Sequence, residues 1–192
     1  MFKKKSLALL VSLMLILCAT VGTTLALLID KTLSVENIFT PSKVTTEVDE
    51  DIETDPDVKQ NVRIRNTGDT TAWIRANVIV TWQLAEGEDA GAVYGKMPVA
   101  GEDYTISDLG SGWEKAADGF YYWKSPVAKG TTTGVMFAEI KPVANKAPDG
   151  YTLHVEIVGS GIQSTPTSVV TTEWSSGVSA ASSTVLTVIK SN

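Results

Sequence analysis

Five carboxylates, Asp49, Asp51, Glu53, Asp55 and Asp57, recur at every second position of one stretch. Alternate side chains of an extended backbone share a face, so these would line one side and could bridge a hard cation such as calcium. The stretch lacks the glycine and the closing glutamate of an EF-hand loop. A hydrated acidic loop is therefore the first expectation and calcium the second.

Other chemistry is sparsely furnished. His154 is the only histidine and Cys18 the only cysteine, too few for a His-rich zinc site or a set of nucleophile and base. A helical His-Glu-x-x-His, a Gly-rich phosphate loop, a Cys-x-x-Cys pair and a dinucleotide fingerprint are all missing. The expectation is a protein that is not an enzyme and needs no cofactor. The remaining candidates are aromatic. Trp73, Trp82, Trp113, Tyr121, Tyr122 and Trp123 are many for one domain, and exposed members could stack on a sugar or anchor a partner.

The elements that would position these groups read as strands. Thr, Ser and Val are frequent, which favours β-structure. Ser42 to Val48 alternates with Val44, Thr46 and Val48 on one side, and Asp49 to Asp57 follows as the acidic loop. Val58 to Arg65 sets Val58, Val62 and Ile64 against Lys59, Asn61, Arg63 and Arg65, and Asn66-Thr67-Gly68-Asp69 supplies turn residues. Ala72 to Trp82 sends Ile74, Ala76, Val78, Val80 and Trp82 inward, and the spacing predicts that these two strands pair in one sheet. By the same parity Trp73 points outward. Trp73 with either Tyr121 and Trp123 or Phe120 and Tyr122 is the predicted exposed set.

Between Gln83 and Gly112 only Val93 to Val99 and Tyr104 to Ile106 suggest strands. Trp113 to Trp123 is a predicted hairpin turning at Asp118-Gly119, and Thr131 to Ile140 a further strand. Tyr151 to Val158 places Tyr151, Leu153, Val155 and Ile157 inward and Thr152, His154 and Glu156 outward. A short helix over Pro166 to Trp174, a small-residue linker over Ser175 to Ser183 and a last strand over Thr184 to Ile189 complete the reading. The fold class expected is all-β, a jelly-roll-like sandwich of about seven to nine antiparallel strands.

The first residues read differently. Met1 to Lys5 is basic and Ser6 to Ile16 apolar, and Thr24 and Ala26 supply the small residues that a signal peptidase reads. Cleavage after Ala26 would make Leu27 the first mature residue; a retained anchor is the alternative, since Leu7 to Ile29 is long enough to span a bilayer. The expected organisation is a signal helix over 1–26, an extended segment over 27–41 and a sandwich over 42–192. Leu27, Leu28, Ile29, Leu33, Val35, Ile38 and Phe39 make that segment too apolar for a free tail and suit it to completing a sheet. The whole chain carries net charge −6, and removing the leader lysines makes it more acidic still. Nucleic acid is a poor partner for it.

Several stretches together carry a resemblance: Val21-Gly22-Thr23-Thr24-Leu25-Ala26, Phe39-Thr40-Pro41-Ser42-Lys43-Val44, Ile64-Arg65-Asn66-Thr67-Gly68-Asp69 with Ala72-Trp73-Ile74-Arg75, Asp118-Gly119-Phe120-Tyr121-Tyr122-Trp123, and Val155-Glu156-Ile157 to Ile162-Gln163. In this order they resemble the TasA and camelysin-like family, exported with a SipW-dependent type of signal peptide. At the cut, Gly22-Thr23 and Leu27-Leu28 stand where that family commonly has a Gly-Gly pair and an aromatic residue. The resemblance implies a jelly-roll domain at a Gram-positive surface or in a biofilm matrix, with a SipW-type signal peptidase and other copies of itself as partners, joined by insertion of each N-terminal strand into the next subunit. A monomeric adhesion module that binds matrix polysaccharide or a host ligand through exposed aromatics is the alternative.

Overall fold

In the computed structural model, residues 43–52 and 58–190 are described. The expected leader with its expected cleavage residues Thr24 and Ala26, the apolar segment Leu27 to Phe39, and the acidic residues Glu53, Asp55 and Asp57 lie outside them.

The described chain forms β1 (Thr46–Ile52), β2 (Lys59–Asn66), β3 (Ala72–Leu84), β4 (Tyr104–Ile106), β5 (Trp113–Lys115), β6 (Tyr121–Val127), β7 (Phe137–Pro142), β8 (Tyr151–Gln163), α1 (Ser168–Glu173), β9 (Val178–Ala181) and β10 (Leu186–Val188). Two antiparallel four-stranded sheets, ordered β1-β2-β7-β4 and β5-β6-β3-β8, make the sandwich, and β9 pairs with β10 in a separate ribbon. Apart from the β1–β2 and β5–β6 hairpins, each connection from β1 to β8 crosses between the sheets. This is an all-β sandwich, and its eight sheet strands fall within the expected number. Pro41–Asn192 is one compact unit.

The core between the sheets holds Val62, Ile64, Ile74, Ala76, Val80, Trp82, Trp113, Phe137, Ile140, Leu153 and Val155, the inward sets that the two-residue period gives for β2, β3 and β8. The hairpin forms as expected, with Gly119 at φ 88 supplying the left-handed turn position.

Five expectations need correction. β2 and β3 do not pair, since they belong to opposite sheets. Asn66 makes the difference. It is fully buried, its Nδ2 donates to the carbonyls of Thr70 (2.8 Å) and Val127 (2.9 Å), and its Oδ1 accepts from the Gly68 N–H (3.0 Å). A hairpin turn leaves such an amide in solvent, whereas here it pins a corner between sheets. Second, β1 begins four residues late and runs through Asp49 to Ile52, so the first part of the expected acidic loop is strand. Its carboxylates are tolerated because β2 offers cations: Asp49 pairs with Arg65 (3.4 Å) and Glu50 with Lys59 (2.6 Å).

Third, Val93 makes only a single bridge to Gln83 in place of a strand. Fourth, the strand expected from Thr131 starts at Phe137, because 131–136 serves as an irregular edge: Asn66 N–H donates to Thr131 O, Thr133 N–H to Ile64 O and Met136 N–H to Val62 O. Fifth, the expected linker Ser175 to Ser183 contains β9.

Candidate interaction surface

The aromatic set predicted to be exposed is not. Trp73 is fully buried and Tyr122 likewise, while Phe120, Tyr121 and Trp123 are half-buried. Parity placed Trp73 on the correct face of β3, but α1, β9 and β10 cover that face and build a second core from Trp73, Ala116, Tyr122, Val170, Trp174, Val178, Leu186 and Val188. Tyr121 and Trp123 pack against the main core instead, Tyr121 edge-on to Phe137 at 5.3 Å and Trp123 tilted on Trp113 at 5.7 Å.

The cap rests on a polar keystone. The Arg75 guanidinium lies 4.1 Å from the Phe120 ring centroid and 4.6 Å from that of Trp174, a cation–π arrangement strengthened by desolvation. Arg75 also donates to the Tyr122 hydroxyl (3.2 Å), which donates to Asp118 Oδ2 (2.8 Å), and Ser176 donates to the same oxygen (3.0 Å). Desolvation by burial is the main cause that pushes the Tyr122 hydroxyl up to about 12; the Arg75 hydrogen bond opposes it and Asp118 adds to it. Each of these side chains has its contacts within the fold, although the buried Arg75 Nε has no hydrogen-bond partner, and the cluster is read as structural.

Two carboxylates of the acidic stretch are likewise paired, Asp49 with Arg65 and Glu50 with Lys59. Asp49 and Asp51 lie on β1, and Asp49, Glu47, Val48 and Arg65 line an open groove of about 340 Å³. Arg65 neutralises Asp49 there. Among the described residues no three His, Cys, Asp or Glu are grouped to hold a metal ion.

One surface open to a partner is the margin of the sandwich. β8 pairs with β3 over thirteen residues, from Ala72↔Gln163 to Leu84↔Tyr151, without a register shift. Among the described residues it has a strand neighbour on that side only. The hydrogen bonds from Ala85 N–H to Gly150 O (3.0 Å) and from Ser164 N–H to Thr71 O (3.0 Å) flank this ladder and fix its phase. Even-numbered residues of β8 bond to β3, so the N–H and C=O of Leu153, Val155, Ile157 and Gly159 point to the free side, whereas the Tyr151 N–H donates to Pro148 O (2.9 Å). Val158 is 42% exposed, and His154 and Glu156 are exposed on the outer face.

β1, the edge of the other sheet, contrasts with it. Its register shifts between Asp49 and Asp51, and it carries the Glu50–Lys59 and Asp49–Arg65 pairs. A bulge and charges are devices that discourage edge pairing, and β8 has neither a bulge nor an ion pair among the described residues. The inward alternation of β8 was legible in the sequence, but nothing local marks which strand ends a sheet.

No known protein family, characterised protein or solved structure matches this chain.

Proposed function

We propose that this chain is a secreted structural protein of a Gram-positive cell surface or biofilm matrix, in which the apolar segment Leu27 to Phe39 of one copy adds as a strand to the sandwich of the next. The observation that carries the reading is the long, regular edge of β8, which has no strand neighbour on that side among the described residues, a template of the kind that takes up an extended segment through main-chain hydrogen bonds. A head-to-tail contact of this type propagates into an open filament. Cleavage after Ala26 frees the segment, and so acts as the switch. The resemblance to the TasA and camelysin-like family supports the same reading. Polysaccharide binding through aromatics has less to rest on, because Trp73, on which that surface was to be built, is buried.

The test is to produce the chain from Leu27 onward, the same chain behind a blocking tag, and a deletion of Leu27 to Thr40, and to compare them by size-exclusion chromatography and negative-stain microscopy. Filaments from the free N-terminus alone are expected. Filaments from the deletion, or soluble monomers from all three, overturn the reading.

A further inference from the structure

We infer that the free edge of β8 is self-complementary and that two copies of this chain close on each other there, β8 against β8, as an antiparallel two-fold dimer centred on Val155. This goes beyond strand addition and holds without it.

The phase of the ladder restricts the choices. Odd-numbered residues of β8 present their backbone groups to the free side, so a two-fold axis at Val155 makes Val155 pair with its own copy through two hydrogen bonds, and Leu153 with Ile157 of the second copy likewise. The even-numbered residues then oppose one another in the close, non-hydrogen-bonded positions, where side chains meet most directly. In this register His154 of each copy faces Glu156 of the other, twice over, and Thr152 faces Val158. Centring on Glu156 instead sets two carboxylates face to face, and centring on Ile157 places Glu156 against Val158.

The Val155 register alone sets an imidazole opposite a carboxylate across the seam, a donor facing an acceptor. The side chains of His154 and Glu156 are exposed and form no hydrogen bond or ion pair among the described residues, so both are available. On the inner face Leu153, Val155 and Ile157 already belong to the main core or pack against it, and the pairing continues that core across the axis. An isologous contact closes and cannot propagate. The dimer therefore occupies the same edge that filament growth requires, and holds it shut.

The chain from Leu27 onward behind its blocking tag, which prevents filament growth and serves here as the wild type, is examined by sedimentation equilibrium together with H154E, the double variant H154E/E156K, and the deletion of Leu27 to Thr40, each behind the same tag. The wild type is expected to show a concentration-dependent dimer. H154E sets glutamate against glutamate at two symmetric positions and weakens dimerisation by about tenfold or more. The double variant sets glutamate against lysine at both positions and returns the affinity, a rescue that a folding defect would not show. The deletion dimerises as the wild type does, which also separates this inference from filament formation. A wild type that stays monomeric, an H154E that dimerises unchanged, a double variant that stays weak, or a dimer lost on deletion of Leu27 to Thr40 overturns the inference; the last outcome means that the N-terminal segment fills the edge.

Discussion

Replacing Asn66 with alanine should be among the most damaging single changes to this sandwich. The side chain has no solvent exposure and makes three hydrogen bonds of 2.8–3.0 Å, to Thr70 O, Val127 O and Gly68 N. Alanine withdraws all three at once. The Thr70 carbonyl is the least enclosed and can turn to water, whereas the bonds to Val127 and Gly68 are buried, and a buried group left unsatisfied costs about 1–3 kcal/mol. The expected loss is about 2–4 kcal/mol, or roughly 10 °C in Tm for a chain of this size. Urea unfolding followed by tryptophan fluorescence should show a lower midpoint with an unchanged slope. Asn66→Asp should do worse, since it keeps the acceptor for Gly68 but turns a carboxylate oxygen towards two carbonyls. A loss in Asn66→Ala below about 0.5 kcal/mol, the range of ordinary surface changes, or an aspartate tolerated as well as asparagine, would refute the assignment of Asn66 as the pin of the corner.

Three other perturbations test neighbouring parts of the fold. Gly68→Ala drives a methyl group into the Lys43 carbonyl and to 3.0 Å from the Val44 Cα; chemical denaturation should show a loss of about 1–3 kcal/mol from this overpacking. Tyr122 is held protonated to about 12, against about 10 when unfolded. Its contribution is therefore intact below pH 10 and declines as pH rises towards 12, because the unfolded chain releases that proton first. Burial raises Tyr104 as well, so a phenolate absorbance titration should show late-titrating tyrosines and lose one of them in Tyr122→Phe. Trp174→Ala removes the ring 5.7 Å from Tyr122 and one wall of the Arg75 stack. It should cost about 3–5 kcal/mol and make the cap bind a hydrophobic dye.

The faces of β3 and β8 were readable because each strand has one side in the main core, which imposes a strict period of two. What β3 carries on its other side was not, since Trp73 looks like a surface residue until β9 and β10 are laid over it. Those strands are four and three residues long, β9 lies in a Ser-rich stretch, and together they give too little alternation to announce a second core. The turn signal at Asn66-Thr67-Gly68-Asp69 was correct as a turn, yet the same residues serve a hairpin or a corner equally well. Only the contacts of Asn66 with Thr70 and Val127 decide between them. The carboxylates of β1 read as loop because their cationic partners Lys59 and Arg65 lie across a hairpin, and a local pattern does not register cross-strand pairs. For the candidate surface, the side chains of β8 were legible, but its open side is a property of topology.

The pairing of β3 with β8 also sets when the molecule can fold. Its closest partners in sequence are Leu84 and Tyr151, and its farthest are Ala72 and Gln163, so the longest ladder of the sandwich closes only after most of the chain is present. Topologies dominated by such distant contacts fold in roughly milliseconds to seconds. During synthesis the N-terminal two-thirds emerge with β3 still lacking β8 and so cannot lock into the sandwich, and collapse waits until the last strands have been made.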